Sequence, residues 1–503
     1  MRAGQVNLSR FFTIYCLIVC SFFCLQPSVF AAESEETWEQ ILIDGNPAGY
    51  RKSARSVGQD GELTFTSNEH LEVSRFGQTI AIDATHVSVQ AADGNVKSFQ
   101  FEMDNKPLMS ITSSGVRDGK VMKVTTGTGN SQAKKEIPWS DDFMSADYAS
   151  YLLETKPLKK GDVRQMKVFM AEYSQIATIT HTGQGEVVVK DKAGKERTYN
   201  VILEKSSLLP GTVSKVFLDA KNKFVRSEVQ QMGMNLVTQT TTKEIALTEI
   251  MPKMIDIGMN SLVKPTPPLE KGHRTRHAMY LLSVPSSSSI SQIPSGMYQK
   301  VTEKRSGDQR IIQIEIDAEG KFPVNPEADL NQVKPDEYLA SSLYLELKDP
   351  ELMALAKAIN VTGTPAEKAL ALEKEVFKRL NRKDFSTAFA TAAEVAKSLQ
   401  GDCTEHAVLL AALLRVKEIP SRVCVGLVYV DALNSFGGHM WTEAWVGDRW
   451  LPVDATLGQG GIGAGHIKLA QSSLAGESPF PIALFLPTIE LMQGLKIQVK
   501  SQE

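Results

Sequence analysis

From about Glu33 to Ile250 hydrophobic and polar residues alternate in short runs, among them Leu63-Thr64-Phe65-Thr66, Phe99-Gln100-Phe101-Glu102-Met103, Val121-Met122-Lys123-Val124, Thr198-Tyr199-Asn200-Val201-Ile202 and Phe224-Val225-Arg226-Ser227. A period of two puts one face of a strand on a core and the other in water, as in antiparallel sheets. Asp60-Gly61, Asp93-Gly94-Asn95, Asp118-Gly119, Ala193-Gly194 and Lys221-Asn222 separate the runs. Such pairs supply the positive φ angles of tight hairpins. The pattern predicts an antiparallel all-β domain over residues 33–260. Residues 261–335 read as a proline-rich linker, Lys264-Pro265-Thr266-Pro267-Pro268, followed by a small β region. That region has strand-like runs between Ala278 and Ile316 around the loop Pro285-Ser286-Ser287-Ser288-Ser289, and is expected as a second small β-domain or an extension packed on the first. The basic run Lys271 to His277 reads as the solvated start of a strand.

From Lys334 the period becomes helical. Asp349-Pro350 and Thr364-Pro365 each place a capping side chain before a proline at the first helical position, and Thr364 with Glu367 forms a capping box. Ala369, Leu372, Val376 and Leu380 make an apolar stripe, and Thr391 to Leu399 reads as a further short helix. Residues 336–503 are therefore expected to form an α+β domain, giving a multidomain chain with an all-β N-terminal part.

Composition narrows the function. The 503 residues carry 55 Lys+Arg against 58 Asp+Glu, a net charge of −3. That balance offers no basic face for nucleic acid. Arg2 and Arg10 precede an uncharged apolar stretch, Phe11 to Leu25, then Pro27 and the small-residue pattern Val29-Phe30-Ala31. This is the layout of a secretory signal peptide at 1–31, its apolar run shorter than the ~20 residues of a spanning helix. The expectation is export to the periplasm or beyond, with an uncleaved N-terminal anchor as the alternative. Cys16, Cys20 and Cys24 lie in this leader, which leaves Cys403 and Cys424 as a disulfide or as one working thiol and one buried spectator. The β half carries no ligand cluster: His70, His86 and His181 stand alone, each read as a surface or satisfied histidine. That half is similar to the half-barrels of periplasmic carrier proteins and reads as a scaffold or binding module.

The chemistry lies further on. Gly401-Asp402-Cys403-Thr404-Glu405-His406 precedes an unbroken apolar run, Ala407 to Leu414, so a thiol opens a buried helix. Helix N-termini carry partial positive charge and unpaired N–H groups, which favour a thiolate and can cradle an oxyanion. Gly401 is expected to allow close approach of backbone or substrate. Ile419-Pro420-Ser421-Arg422 leads into a strand, Val423 to Val430. Gly437-Gly438-His439-Met440-Trp441-Thr442-Glu443-Ala444-Trp445-Val446 reads as its neighbour, with His439, Trp441, Glu443 and Trp445 on one face. A hairpin at Gly447-Asp448 leads to Trp450-Leu451-Pro452-Val453-Asp454, whose end can bring Asp454 beside His439. A helix-borne thiol with a strand-borne imidazole and carboxylate is the layout of a thiol triad.

These segments resemble the transglutaminase-like superfamily, in Gly401 to His406, Ile419 to Arg422, His439 to Glu443 and Trp450 to Thr456, over roughly Tyr338 to Leu469. The resemblance implies a papain-like domain with Cys403 as nucleophile, His439 as general base then acid, and Asp454 as orienter of His439. It does not choose among cross-linking acyltransferases, peptidases, amidases and inactive members. No Asp-rich loop has Ca²⁺-ligand spacing, and no cofactor is implied. Cys403, His406, His439 and Asp454 could also be drawn as a metal site, though Cys-x-x-His on one helix is a weak zinc pattern. Trp441 and Trp445 are expected in the core or walling the cleft, Glu405 and His406 shaping the helix start, Cys424 in the core, and His466, after the glycine-rich loop Gly458 to Gly465, either approaching the cleft or simply exposed. The functional expectation is an exported thiol enzyme acting on a protein or peptide amide through a thioester, in association with the cell envelope. Its rival is a non-catalytic envelope-binding protein with a vestigial triad.

Overall fold

The computed structural model describes residues 35–503, apart from 106–108, 130, 191–193, 232, 249, 251, 253–254, 286–292, 307–308, 324–334, 383–388, 476–483, 486–487, 489–490 and 493. The leader at 1–31 and the serines 286–289 lie outside the described residues. Among those described, no helix is long and apolar enough to cross a membrane.

The alternating N-terminal half forms one sheet of fifteen described strands. Eight consecutive strands, Glu35–Ile43 to Ser131–Pro138, meander outward on one side, and seven, Phe143–Ser145 to Met234–Thr241, on the other. The halves join where Glu35–Ile43 pairs antiparallel with Met234–Thr241, Trp38 opposite Thr241 and Ile43 opposite Leu236. Only the short edge strand Phe143–Ser145 runs parallel to its described neighbour, Val163–Met170. The sheet curls until its two arms touch, with the Phe99 and Phe169 ring centroids 4.7 Å apart. The helix Ala146–Thr155, capped by Ser145, buries Tyr148, Ala149 and Leu152 against Leu63, Val168 and Ile179. His70, His86 and His181 each pair with a carboxylate, of Asp83, Asp147 and Glu204 respectively.

A second sheet takes its strands from distant parts of the chain. His277–Pro285 lies between Gln309–Asp317 and Lys496–Gln502, with Gln299–Ser306 at one edge. Its apolar face, Tyr280, Leu282, Ile312 and Ile314, packs on Leu427, Tyr429, Phe436 and Ile467 of the third sheet, not on the first.

That third sheet has the order Trp450–Val453, Ser435–Trp445, Ser421–Val430, His466–Ser472. Among the described residues five helices accompany it, the short Pro335–Leu339 and four longer ones. Pro350–Ala358 is capped by Asp349, and Pro365–Arg379 by the Thr364/Glu367 box. Ala392–Ser398 is capped by Thr391, and Cys403–Val416 runs through the core. From Ala407 to Leu414 every residue of the last is buried, against Val423, Val425, Met440 and Ala444. At its far end Arg415 donates to the carbonyls of Ala340, Ser421 and Ser473, which satisfies a cation that burial pulls down to about 10. Ile111 of the first sheet belongs to this same core, and Ser131 hydrogen-bonds Glu346 at 2.9 Å, so the β-domain lies against the helices.

Candidate active site

Asp402 caps the central helix. Its Oδ1 accepts from the Thr404 N–H at 2.8 Å, while Glu405 reaches back to the Asp402 N–H at 2.9 Å. Cys403 is therefore the first helical residue, held half-buried by a reciprocal box. Gly401 has φ +141°, and a Cβ there would fall 2.4 Å from Glu405 Cγ. The sequence reading gave this glycine to backbone or substrate; the space is filled by the Glu405 side chain. Glu405 also accepts from the Ala390 N–H at 3.0 Å, and burial together with the neighbouring Asp402 pushes its carboxyl up to about 8. The His406 ring turns back to the Asp402 carbonyl, Nδ1 to O 2.6 Å, and burial lowers its affinity for a proton. Both residues shape the helix start, as expected.

His439 lies on Ser435–Trp445, facing the helix end. Its Nε2 is 2.8 Å from Asp454 Oδ2, and its ring is within hydrogen-bonding reach of Cys403. With Nε2 engaged by the carboxylate, Nδ1 is the nitrogen left for the sulfur. Burial opposes a charged imidazole, but the Asp454 carboxylate and the Cys403 sulfur override it and push His439 up to about 10. Asp454 is fully buried just past Val453, with Oδ1 accepting from the Thr456 N–H at 2.9 Å. Burial would raise it, yet His439 and His466 hold it well below the ordinary carboxylate range. The structure thus brings Cys403, His439 and Asp454 together across a helix end and two strands.

Other expectations fare differently. His466 is buried rather than exposed, and its Nε2 shares Asp454 Oδ2 at 3.0 Å. The reason is that its glycine-rich loop is folded under: the Gly460 and Gly461 N–H groups donate to Glu373, a carboxyl that burial pushes up to about 7. Trp441 is buried and stacked on His439, centroids 6.2 Å apart at 20°, and it also lines a cleft of about 730 Å³. Trp445 packs on Trp450. Glu443, on the same side of the strand as His439, is taken by Arg422 Nη2 at 2.6 Å and Lys468 Nζ at 2.9 Å, so it is not left to orient the imidazole. Cys424 is buried and free, as is the half-buried Cys403, so no disulfide joins them. Burial pushes the Cys424 thiol up. The metal set drawn from sequence is not assembled, since His406 points to its own helix start. His439, Asp454 and His466 do bring ligand atoms within 4.8 Å of one another, but their mutual hydrogen bonds account for that grouping.

Sequence reasoning missed Arg75. At the end of the strand Leu63–Arg75 in the β-domain, its Nη1 lies 2.5 Å from the buried Asp402 Oδ2. No local signal joins an arginine in one domain to a cap in another.

Residues 353–455 match the family model of the transglutaminase-like superfamily, and this C-terminal region belongs to that superfamily, with its papain-like fold. Two solved structures are distantly similar. A candidate cysteine protease from Cytophaga hutchinsonii is 14% identical, over 45% of this chain and 86% of its own, with a TM-score of 0.28. A β-barrel-like protein of a domain family of unknown function from Brucella abortus is 10% identical, over 41% of this chain and 95% of its own, with a TM-score of 0.30. Scores this low carry nothing about activity. No curated protein matches the chain.

Proposed function

We propose that the protein is an exported thiol enzyme that transfers or hydrolyses acyl groups at protein or peptide amides. The observation that carries the reading is His439 set between Cys403 and a buried Asp454 whose Oδ2 is 2.8 Å from Nε2. The Cys403 sulfur attacks the amide carbonyl carbon, and the C–N bond breaks as His439 gives its proton to the leaving amine. A thioester remains on Cys403. A second amine or a water then attacks it, His439 takes the proton, and the sulfur is released. Asp454 fixes the tautomer and orientation of His439 and stabilises its charged form. N–H groups at the start of the Cys403 helix supply hydrogen-bond donors for the oxyanion. A chain of this kind works outside the cytoplasm, against proteins or peptides of the cell envelope, with its leader removed near Ala32.

The test is incubation of the protein with glutamine-containing casein and a fluorescent primary amine, scoring amine incorporation, ammonia release and peptide cleavage side by side. At least one product is expected, and it disappears in Cys403→Ala. Turnover that survives Cys403→Ala overturns the reading. N-terminal sequencing of exported protein should give a start near Ala32; finding Met1 replaces cleavage by anchoring.

A further inference from the structure

The head of the Cys403 helix gathers charge that the triad does not use. Asp402 and Glu405 are both fully buried beside Cys403. The groups facing this end are Asp402, Glu405 and His406 on the helix, His439, Asp454 and the His466 that shares Asp454 on the strand side, and Arg75 from the β-domain. His439 is matched by Asp454, which leaves Arg75 as the counter-charge of Asp402.

Arg75 is held in place from two sides. It closes the strand Leu63–Arg75 at the turn to Gln78–Gln90, where Phe76 and Gly77 have φ +50° and +81°. Asp256 clamps that turn, Oδ1 accepting from the Phe76 N–H at 3.1 Å and Oδ2 from the Gly77 N–H at 3.0 Å. The Ser74 N–H donates to the Ile255 carbonyl at 2.9 Å, and Ile255 packs with Val73 and Ile80. An arginine on a turn fixed this way, reaching a buried carboxylate next to the nucleophile in another domain, is a constructed contact.

We propose that Arg75 is a positioning residue of the active site, which pairs with Asp402 to set the charge beside Cys403 and so makes the β-domain part of the catalytic unit. This rests on the thiol-enzyme reading above. Without the guanidinium, Asp402 stands as an uncompensated buried anion next to the sulfur and opposes its ionisation. Glu405 has no cationic form, and burial keeps His406 from taking a proton, so neither can substitute for the guanidinium.

The experiment uses the full chain and reads the pH dependence of Cys403 alkylation by iodoacetamide, with the Cys403 peptide quantified by mass spectrometry. In Arg75→Met the midpoint moves to higher pH by about one unit, so the rate on the rising limb falls about ten-fold, while the alkaline plateau is kept. Arg75→Lys restores most of the shift. Asp402→Asn keeps a capping side chain but leaves the guanidinium unopposed, so its midpoint moves to lower pH. That variant decides the matter should Arg75→Met not fold. Wild-type midpoints in folded variants, or a rate lowered equally at every pH, overturn the positioning role. If wild-type Cys403 is not alkylated ahead of Cys424, the thiol-enzyme reading itself fails. If it is, and only the Arg75 and Asp402 variants are silent, that reading stands and the positioning role falls.

Discussion

Replacing Glu443 by Gln tests whether the strand that carries His439 is fixed by its own ion-pair network. The carboxylate is buried, with Oε2 on Arg422 at 2.6 Å and Oε1 on Lys468 at 2.9 Å. Burial opposes its charge, but the two cations outweigh burial and bring it from 4.5 to about 2. At about 1.4 kcal/mol per pKa unit, that displacement corresponds to about 3 kcal/mol of folding free energy at neutral pH. Breaking a buried pair from one side costs a similar amount, about 3–5 kcal/mol, because the remaining charges lose compensation. For a domain of this size about 3 kcal/mol lowers the melting temperature by roughly 6–12 °C. Trp441, Trp445 and Trp450 lie in the affected sheet and around its edge, and Arg422 covers the Trp450 ring at 4.1 Å, so intrinsic fluorescence follows the transition. The sign follows from the depressed carboxyl. Its contribution is complete above pH 4.5 and is lost as pH falls toward 2, so the gap between wild type and Glu443→Gln should narrow over that range. A variant as stable as wild type at pH 7, or a gap that does not change with pH, refutes the reasoning.

Iodoacetamide near neutral pH should modify Cys403 in native protein and reach Cys424 only after unfolding, because burial raises the Cys424 thiol and denies access; equal labelling of the two in the native state would contradict this. Within the triad, losses should not add: Asp454→Ala keeps a measurable remnant, and its combination with Cys403→Ala is no worse than Cys403→Ala alone. A folded and fully active Asp454→Ala would end the assignment of that carboxylate. Chelation with EDTA should leave Cys403 alkylation unchanged, since Asp454 Oδ2 engages His439 at 2.8 Å and His466 at 3.0 Å directly; a rate lost to EDTA and restored by zinc would reassign the three to a metal.

What could be read in advance was local. Asp349, Thr364 and Thr391 announce helix starts because a cap acts within three residues of itself. Alternation around His439 places its face correctly, since strand geometry needs no partner to set the period. Except at Gly401, the misses are long-range. The space above Gly401 went to Glu405 because a capping box folds that side chain back over its own cap. His466 is buried because Glu373, far back in the chain, gathers the loop before it. The contact from Arg75 to Asp402 depends on how a curled sheet settles against helices, and neither segment carries a mark of the other.

The pairing of His277–Pro285 with Lys496–Gln502 has a topological meaning. Everything between residues 286 and 495, the reactive cysteine included, leaves from one strand and returns on the adjacent one, about 4.8 Å away. The catalytic region is thus an insertion into the small sheet, leaving after Gln309–Asp317 and returning on Lys496–Gln502, the two strands that flank His277–Pro285. An excised fragment beginning at 336 would carry Lys496–Gln502 without the strand it pairs with, and Ile497 and Val499 would lose their cover. The C-terminal piece extends back to about residue 263, where Val263 pairs with Phe436 and Thr266 with Gln498, and the ladder works as its clasp.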